Sequence, residues 1–136
     1  MMAEDARASW LTKLSPKEWI SAGLGELARA EAAWARGDVR AGIAGCKRAA
    51  GMALNAALSV EPKESWGRTY IEHLDALAKD AGVPEAVRAS CKAVLEAKAP
   101  TSALATLRTK SGDTKVVEAA RDVIAHALWV VKKHEA

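Results

Sequence analysis

Arg121 and His126 are the two residues of this 136-residue chain whose types and spacing could together do chemistry. An arginine that clamps a phosphate and a histidine that moves a proton can cleave RNA without a metal, using the ribose 2′-hydroxyl as nucleophile. Both fall in one predicted helix, and five residues put them about 140° apart around its axis. They flank a polar face rather than converge on it. Asp122 and His126, four apart, are spaced to pair, and Glu118 and Arg121, three apart, to form an ion pair. A solvated helix face is therefore the competing reading. Trp129 lies on the same polar face, and a large aromatic there predicts contact with a second copy or a partner.

Other signatures of chemistry are missing from the chain. It has no Gly-rich phosphate loop, zinc-binding histidine helix, cysteine pair or nucleophile elbow, so no metal and no cofactor are expected. Gly23-Leu24-Gly25 sits inside a helical pattern and reads as close packing. His73 lies beside Glu72 and Asp75, which do not face it at one- and two-residue spacing, and is expected at the surface or its boundary. His134 belongs to a fraying tail. Cys46 and Cys91 are expected to be small buried thiols.

The composition sets the elements that must position these groups. Half the residues are hydrophobic, mostly alanine, with no Phe and five Trp, and Ala, Leu, Glu, Lys and Arg are the best helix formers. A net charge of +3 is mildly basic, well short of the dense footprint of a protein devoted to gripping phosphate backbones. No apolar run approaches the roughly 18 residues of a membrane span, and the acidic start MMAEDARASW lacks the order of a secretory signal. A cytoplasmic, all-α protein without membrane contact is expected, as one domain over residues 1–136.

Residues 1–14 read as a lead-in anchored by Trp10, Leu11 and Leu14, and residues 15–134 as an up-and-down bundle of four to five helices. Ser15-Pro16-Lys17-Glu18 combines a serine cap, proline at the first helical position and glutamate three residues on. It starts a helix whose stripe of Ile20, Gly23, Leu27, Ala30 and Trp34 ends near Arg36, with Gly37 just beyond. Asp38 caps the second helix, 38–60. Its narrow face of Ala41, Gly45, Ala49, Met52, Ala53 and Ala56 predicts a tight hairpin with the first, while Arg40, Lys47, Arg48 and Asn55 form a basic polar back interrupted by Gly51. Pro62 breaks the pattern, leaving Trp66 and Gly67 in a loop. Helices over about 69–81 and 84–98 follow. Thr109–Asp113 reads as a polar turn whose Asp113 caps a last helix running to Lys133.

Gly45-Cys46-Lys47-Arg48-Ala49-Ala50-Gly51-Met52-Ala53-Leu54-Asn55-Ala56-Ala57-Leu58 resembles the second-helix pattern of HEPN domains in its apolar frame. Lys47 and Arg48 stand where that family carries two glutamines, Gly51 replaces a glutamate and Asn55 a lysine. Arg68-Thr69-Tyr70-Ile71-Glu72-His73-Leu74 is similar to the family's Thr-His segment opening helix three, and Leu107-Arg108 with Asp113 is similar to its Arg-Tyr-Pro-Asp loop. The resemblance implies a helical bundle, usually dimeric, that works beside a minimal nucleotidyltransferase or acts as an RNase. Active members carry Arg, four to six residues, then His; Arg121 and His126 have that spacing but lie within a helix, and Arg108 has no matching histidine. The reading that follows is a non-catalytic or weakly catalytic HEPN-like homodimer. It binds a nucleotide, RNA or a nucleotidyltransferase through Lys47, Arg48, Asn55 and Arg108, with Trp129 at an interface. The alternatives are a metal-independent endoribonuclease using Arg121 and His126, and a helical scaffold without a small ligand.

Overall fold

The structure is a computed structural model that describes residues 9–99 and 110–135. Among these residues it is all-α, an up-and-down bundle without strands. After a short 3-10 turn, Ser9–Lys13, come α1 (Pro16–Ala35), α2 (Val39–Val60), a second 3-10 turn (Glu64–Trp66), α3 (Tyr70–Lys79), α4 (Glu85–Glu96) and α5 (Lys110–Lys133). No helix among the described residues is long and apolar enough to cross a membrane.

The capping chemistry explains the first three boundaries. Ser15 Oγ accepts from the Glu18 amide at 3.1 Å while Glu18 Oε1 accepts from the Ser15 amide at 2.8 Å, a reciprocal box that satisfies two otherwise free donors. These hydrogen bonds also hold the Glu18 carboxyl below its usual range. Gly37 takes φ 84°, a left-handed conformation that stops α1, and Asp38 caps α2 by accepting from the Ala41 amide at 3.1 Å. Thr69 and Glu72 build a second box at the start of α3.

The small face of α2 brings α1 into backbone contact. A Cβ added at Gly45 would lie 2.8 Å from Ala30 Cβ, and one at Gly23 would lie 2.8 Å from the Ala49 carbonyl oxygen. Fourteen of the 22 residues of α2 are buried, so it is the central post of the bundle rather than half of a hairpin with a solvated back. α1, α3 and α5 all pack on it. The expected open polar back is corrected accordingly: a Cβ at Gly51 would meet Tyr70 Cβ at 2.3 Å, and Asn55 is 1% exposed. The glycine that interrupted the basic side is there so that α3 can approach.

Two boundaries differ from expectation. α5 begins at Lys110, so Lys110–Asp113 is helical and Asp113 lies inside the helix instead of capping it. Trp66 is buried in the second 3-10 turn, and Gly67 at φ 73° makes the turn into α3.

Candidate functional site

Two places gather the aromatic, cationic and titratable side chains, and the expected site residues divide between them. The first is a cavity of about 190 Å³ where the C-terminal end of α2 meets α5 and the turns flanking α3. His126, Trp129 and Lys133 contribute from α5, Glu61 and Lys63 from the segment after α2, and Asp80 from the end of α3. The His126 imidazole stacks on Trp129 with ring centres 5.8 Å apart. Burial, followed by the charges of Lys133 and Lys63, pushes its pKa below the usual histidine value and keeps the ring neutral at pH 7.

Arg121 is elsewhere. Its guanidinium donates to Glu31 of α1 at 2.9 Å, not to Glu118 as the spacing allowed. Asp122 accepts from Ser90 Oγ of α4 at 2.8 Å instead of pairing with His126. The structure thus does not bring Arg121 and His126 together; each meets a different neighbouring element because a long helix in a bundle has neighbours on several sides. Trp129 is 57% exposed, as its polar-face position predicts. His134 is not frayed: its Nε2 lies 2.6 Å from Glu61 Oε2, which also takes Lys133 at 3.1 Å.

The second place is a cleft of about 500 Å³ between the first 3-10 turn, α1, the middle of α2 and the start of α3. Trp10, Trp19 and Tyr70 supply ring walls, Asn55 the floor, and Lys13 and Arg68 the charged rim. Trp19 Nε1 donates to the Leu11 carbonyl at 3.0 Å, which ties the lead-in to α1 and holds one wall. Burial pushes the Tyr70 phenol above its usual pKa, so it remains a protonated donor at neutral pH. Among the described residues neither Lys13 nor Arg68 has a carboxylate partner.

His73 lies behind this cleft, 0% exposed, and corrects the expectation of a surface or boundary histidine. Its Nδ1 is 2.9 Å from the Trp66 carbonyl, and its ring stacks on Trp10 at 5.6 Å and 15°. Trp66 comes from the turn just ahead of α3 and Trp10 from the lead-in, far along the chain. Burial lowers its pKa, outweighing the hydrogen bond to Trp66 and the charge of Glu72.

Of the residues expected to hold a ligand, only Asn55 reaches this cleft. Lys47 donates to the Leu95 carbonyl at 3.1 Å, where a cation complements the end of α4, and Arg48 pairs with Glu26 at 3.3 Å. They stand about 10–12 Å along α2 from Asn55 at 1.5 Å per residue. Arg108 lies outside the described residues. Lys13 and Arg68 were not singled out by sequence; the signal available was the clustering of Trp10, Lys13 and Trp19 just ahead of and within α1.

Cys46 and Cys91 are free and buried, as expected. Burial pushes the Cys91 thiol up to about 12, which keeps it inert as a nucleophile. No group of three or more His, Cys, Asp or Glu among the described residues could hold a metal ion. No known protein family, curated protein or solved structure matches the chain.

Proposed function

We propose that the protein is a non-catalytic helical binding module that holds a nucleotide in the cleft beside Asn55. One observation carries this reading: among the described residues Asn55 Oδ1 is buried without a hydrogen-bond partner, on the floor of a cleft walled by aromatic rings and rimmed by two cations without a carboxylate partner. Each part suits a part of a nucleotide. Indole and phenol faces stack on a base at about 1–3 kcal/mol per base, an amide pairs with a base edge, and Lys13 and Arg68 attract the phosphate. The volume lies within the range of about 300–1,000 Å³ typical of small-ligand sites. The resemblance of the α2 sequence to HEPN domains favours the same class of ligand on this helix, at Asn55 rather than at Lys47 and Arg48.

Titration of nucleoside monophosphates into the full chain at low salt tests this, with binding read by calorimetry and by tryptophan fluorescence. Binding should weaken at least tenfold in a Lys13→Ala, Arg68→Ala double variant, and its salt dependence should flatten. A double variant that binds like the parent removes the cleft from consideration. The endoribonuclease reading draws no support from the separate settings of Arg121 and His126.

A second reading concerns assembly. Trp129 borders an apolar groove with Pro84, Val87 and Ala125, and we propose that a second copy of the chain covers it in a cytoplasmic homodimer. Light scattering should give twice the chain mass for the parent and the single mass for Trp129→Ala; equal masses reject the contact.

A further inference from the structure

One wall of the cleft comes from a segment held to the bundle at a few points. Ser9–Lys13 is a single 3-10 turn of five residues, yet it carries Trp10 and Lys13, both of which line the cleft. Leu11 fastens it: the side chain is buried, and the carbonyl accepts from Trp19 Nε1 at 3.0 Å. A further fastening is the Trp10 ring, stacked on His73. Short 3-10 turns have poor internal hydrogen-bond geometry, and such segments open at a lower free energy than the core they rest on.

His73, behind Trp10, makes that docking depend on its charge. A carbonyl only accepts, so the 2.9 Å contact with Trp66 puts the proton of the neutral ring on Nδ1 and leaves Nε2 bare. Among the described residues Nε2 is buried without a hydrogen-bond partner. A proton arriving there creates a buried charge and a buried N–H with no acceptor, both costly away from water. The Trp10 face attracts a cation but offers nothing in the ring plane to take that N–H. The titratable neighbours do not offset the cost. On α3, Tyr70 meets the ring edge-on, and Glu72 accepts from the Arg68 and Thr69 amides at 3.2 and 3.1 Å. Lys13 of the lead-in and Arg68 of the turn are cations, α2 brings the neutral Asn55 to the cleft, and on α4 Cys91 donates to the Leu74 carbonyl. Burial outweighs the attraction of Glu72 and lowers the His73 pKa.

We infer that the lead-in turn is an acid-opened strap over the cleft: a proton on His73 Nε2 releases Trp10 from the ring and Leu11 from Trp19, and the cleft loses one wall and one cation. With Trp10 lifted, water solvates the imidazolium. As regulation of a binding site this rests on the reading of the cleft as a nucleotide site; the movement itself needs no nucleotide. The sign follows from linkage. The docked strap favours the neutral ring, so docking is strongest above the ordinary histidine value of 6.5 and weakens as pH falls through 6.5 toward the lower docked value. One proton is taken up on opening, which limits the effect to about tenfold per pH unit.

Hydrogen exchange of the Trp19 indole N–H, followed by NMR in the full chain without ligand, provides the test, so its outcome is separate from that of nucleotide binding. Corrected for intrinsic rates, the opening constant should rise about three- to tenfold between pH 7.5 and pH 5.5. At pH 7.5 this N–H should be at least about tenfold less protected than the amide of Leu54, buried in the middle of α2. The His73 ring carbons should titrate below 6.5. His73→Asn, whose Nδ2 can keep the bond to Trp66 without titrating, should hold the opening constant within about twofold over the same range; circular dichroism checks its fold, and the three readings on the parent decide alone if it does not fold. A smaller rise in the parent, protection closer to that of Leu54, a His73 pKa of 6.5 or above, or a folded His73→Asn with the parent's pH dependence overturns the strap and leaves the nucleotide reading to its own titration.

Discussion

The cleft at Asn55 and the cavity at His126 are built from the same kinds of parts. Each has two indoles and two cationic side chains, and a histidine whose pKa is lowered by burial lines the cavity and lies behind the wall of the cleft. They differ in where those parts find partners. In the His126 cavity Lys63 sits 4.7 Å over the Trp66 ring and 3.3 Å from Asp80, and Lys133 sits 4.5 Å over Trp129 and 3.1 Å from Glu61. His134 adds a second bond to Glu61. Its cations are neutralised within the chain, and the cavity is a latch that ties the end of α5 to the segments flanking α3. Among the described residues the cleft's Lys13 and Arg68 have no carboxylate partner, and Trp10 Nε1 and Asn55 Oδ1 have no hydrogen-bond partner. Composition does not separate a site from a latch; the completeness of the internal pairing does.

The largest effect expected of any single change is at Gly51, which lets α3 close the cleft. In Gly51→Ala the new Cβ would lie 2.3 Å from Tyr70 Cβ and 2.5 Å from its Cγ, and neither atom is the free end of a side chain. Overpacking of this kind costs about 2–3 kcal/mol. Urea denaturation should show that loss, together with loss of ligand binding as Tyr70 is displaced. Gly25→Ala is the control: its nearest atom is the flexible Arg29 Nη1 at 3.9 Å, and removing a helical glycine should stabilise by about 0.5–1 kcal/mol. Equal stability of Gly51→Ala and the parent would refute the α2–α3 contact.

Asn55→Leu separates stability from binding. If the buried Oδ1 is unmatched in the free protein, a leucine of similar volume removes a polar group at a desolvation penalty of about 1–3 kcal/mol. The variant should therefore melt higher than the parent while binding no nucleotide. A lower melting temperature would mean that the amide is already satisfied and that the cleft is another latch.

Local signals carried most of the fold. The Ser15 box, the Gly37 stop, the Asp38 cap and the small face of α2 each act within one turn or between adjacent helices, and each was readable from spacing. What was not readable depends on partners far along the chain. Lys47 meets Leu95 across 48 positions and Arg121 meets Glu31 across 90. His73 is buried by Trp66 and Trp10, which flank it from a connecting turn and the lead-in. Asn55 was legible as part of the polar back of the second helix, but its companions Lys13 and Arg68 come from other elements and join it only when the bundle closes. Asp113 misled because a capping residue in a polar run looks the same whether a helix begins at it or three residues earlier.

The smallest effects draw the finest line between latch and site. Glu61 accepts from His134 at 2.6 Å and from Lys133 at 3.1 Å, and these bonds, the His134 bond foremost, hold its carboxyl below the ordinary glutamate value of 4.5. A carboxyl whose pKa is lower in the folded than in the unfolded chain contributes stability that is present above about 4.5 and lost as pH falls through the lower folded value. Its side chain and those of its partners are partly exposed, so the contribution is screened to about 0.5–1 kcal/mol. Glu61→Gln should thus be less stable than the parent at pH 7, and the gap should shrink as pH falls below about 4.5, as the parent's carboxyl takes up its proton. Arg68→Ala should show no gap at either pH, within about 0.5 kcal/mol, because among the described residues its cation has no carboxylate partner. Thermal melts of both variants at pH 7 and pH 3 make the comparison. A pH-dependent loss in Arg68→Ala would reveal a carboxylate partner and turn the cleft into a second latch; its absence leaves that charge available to a phosphate.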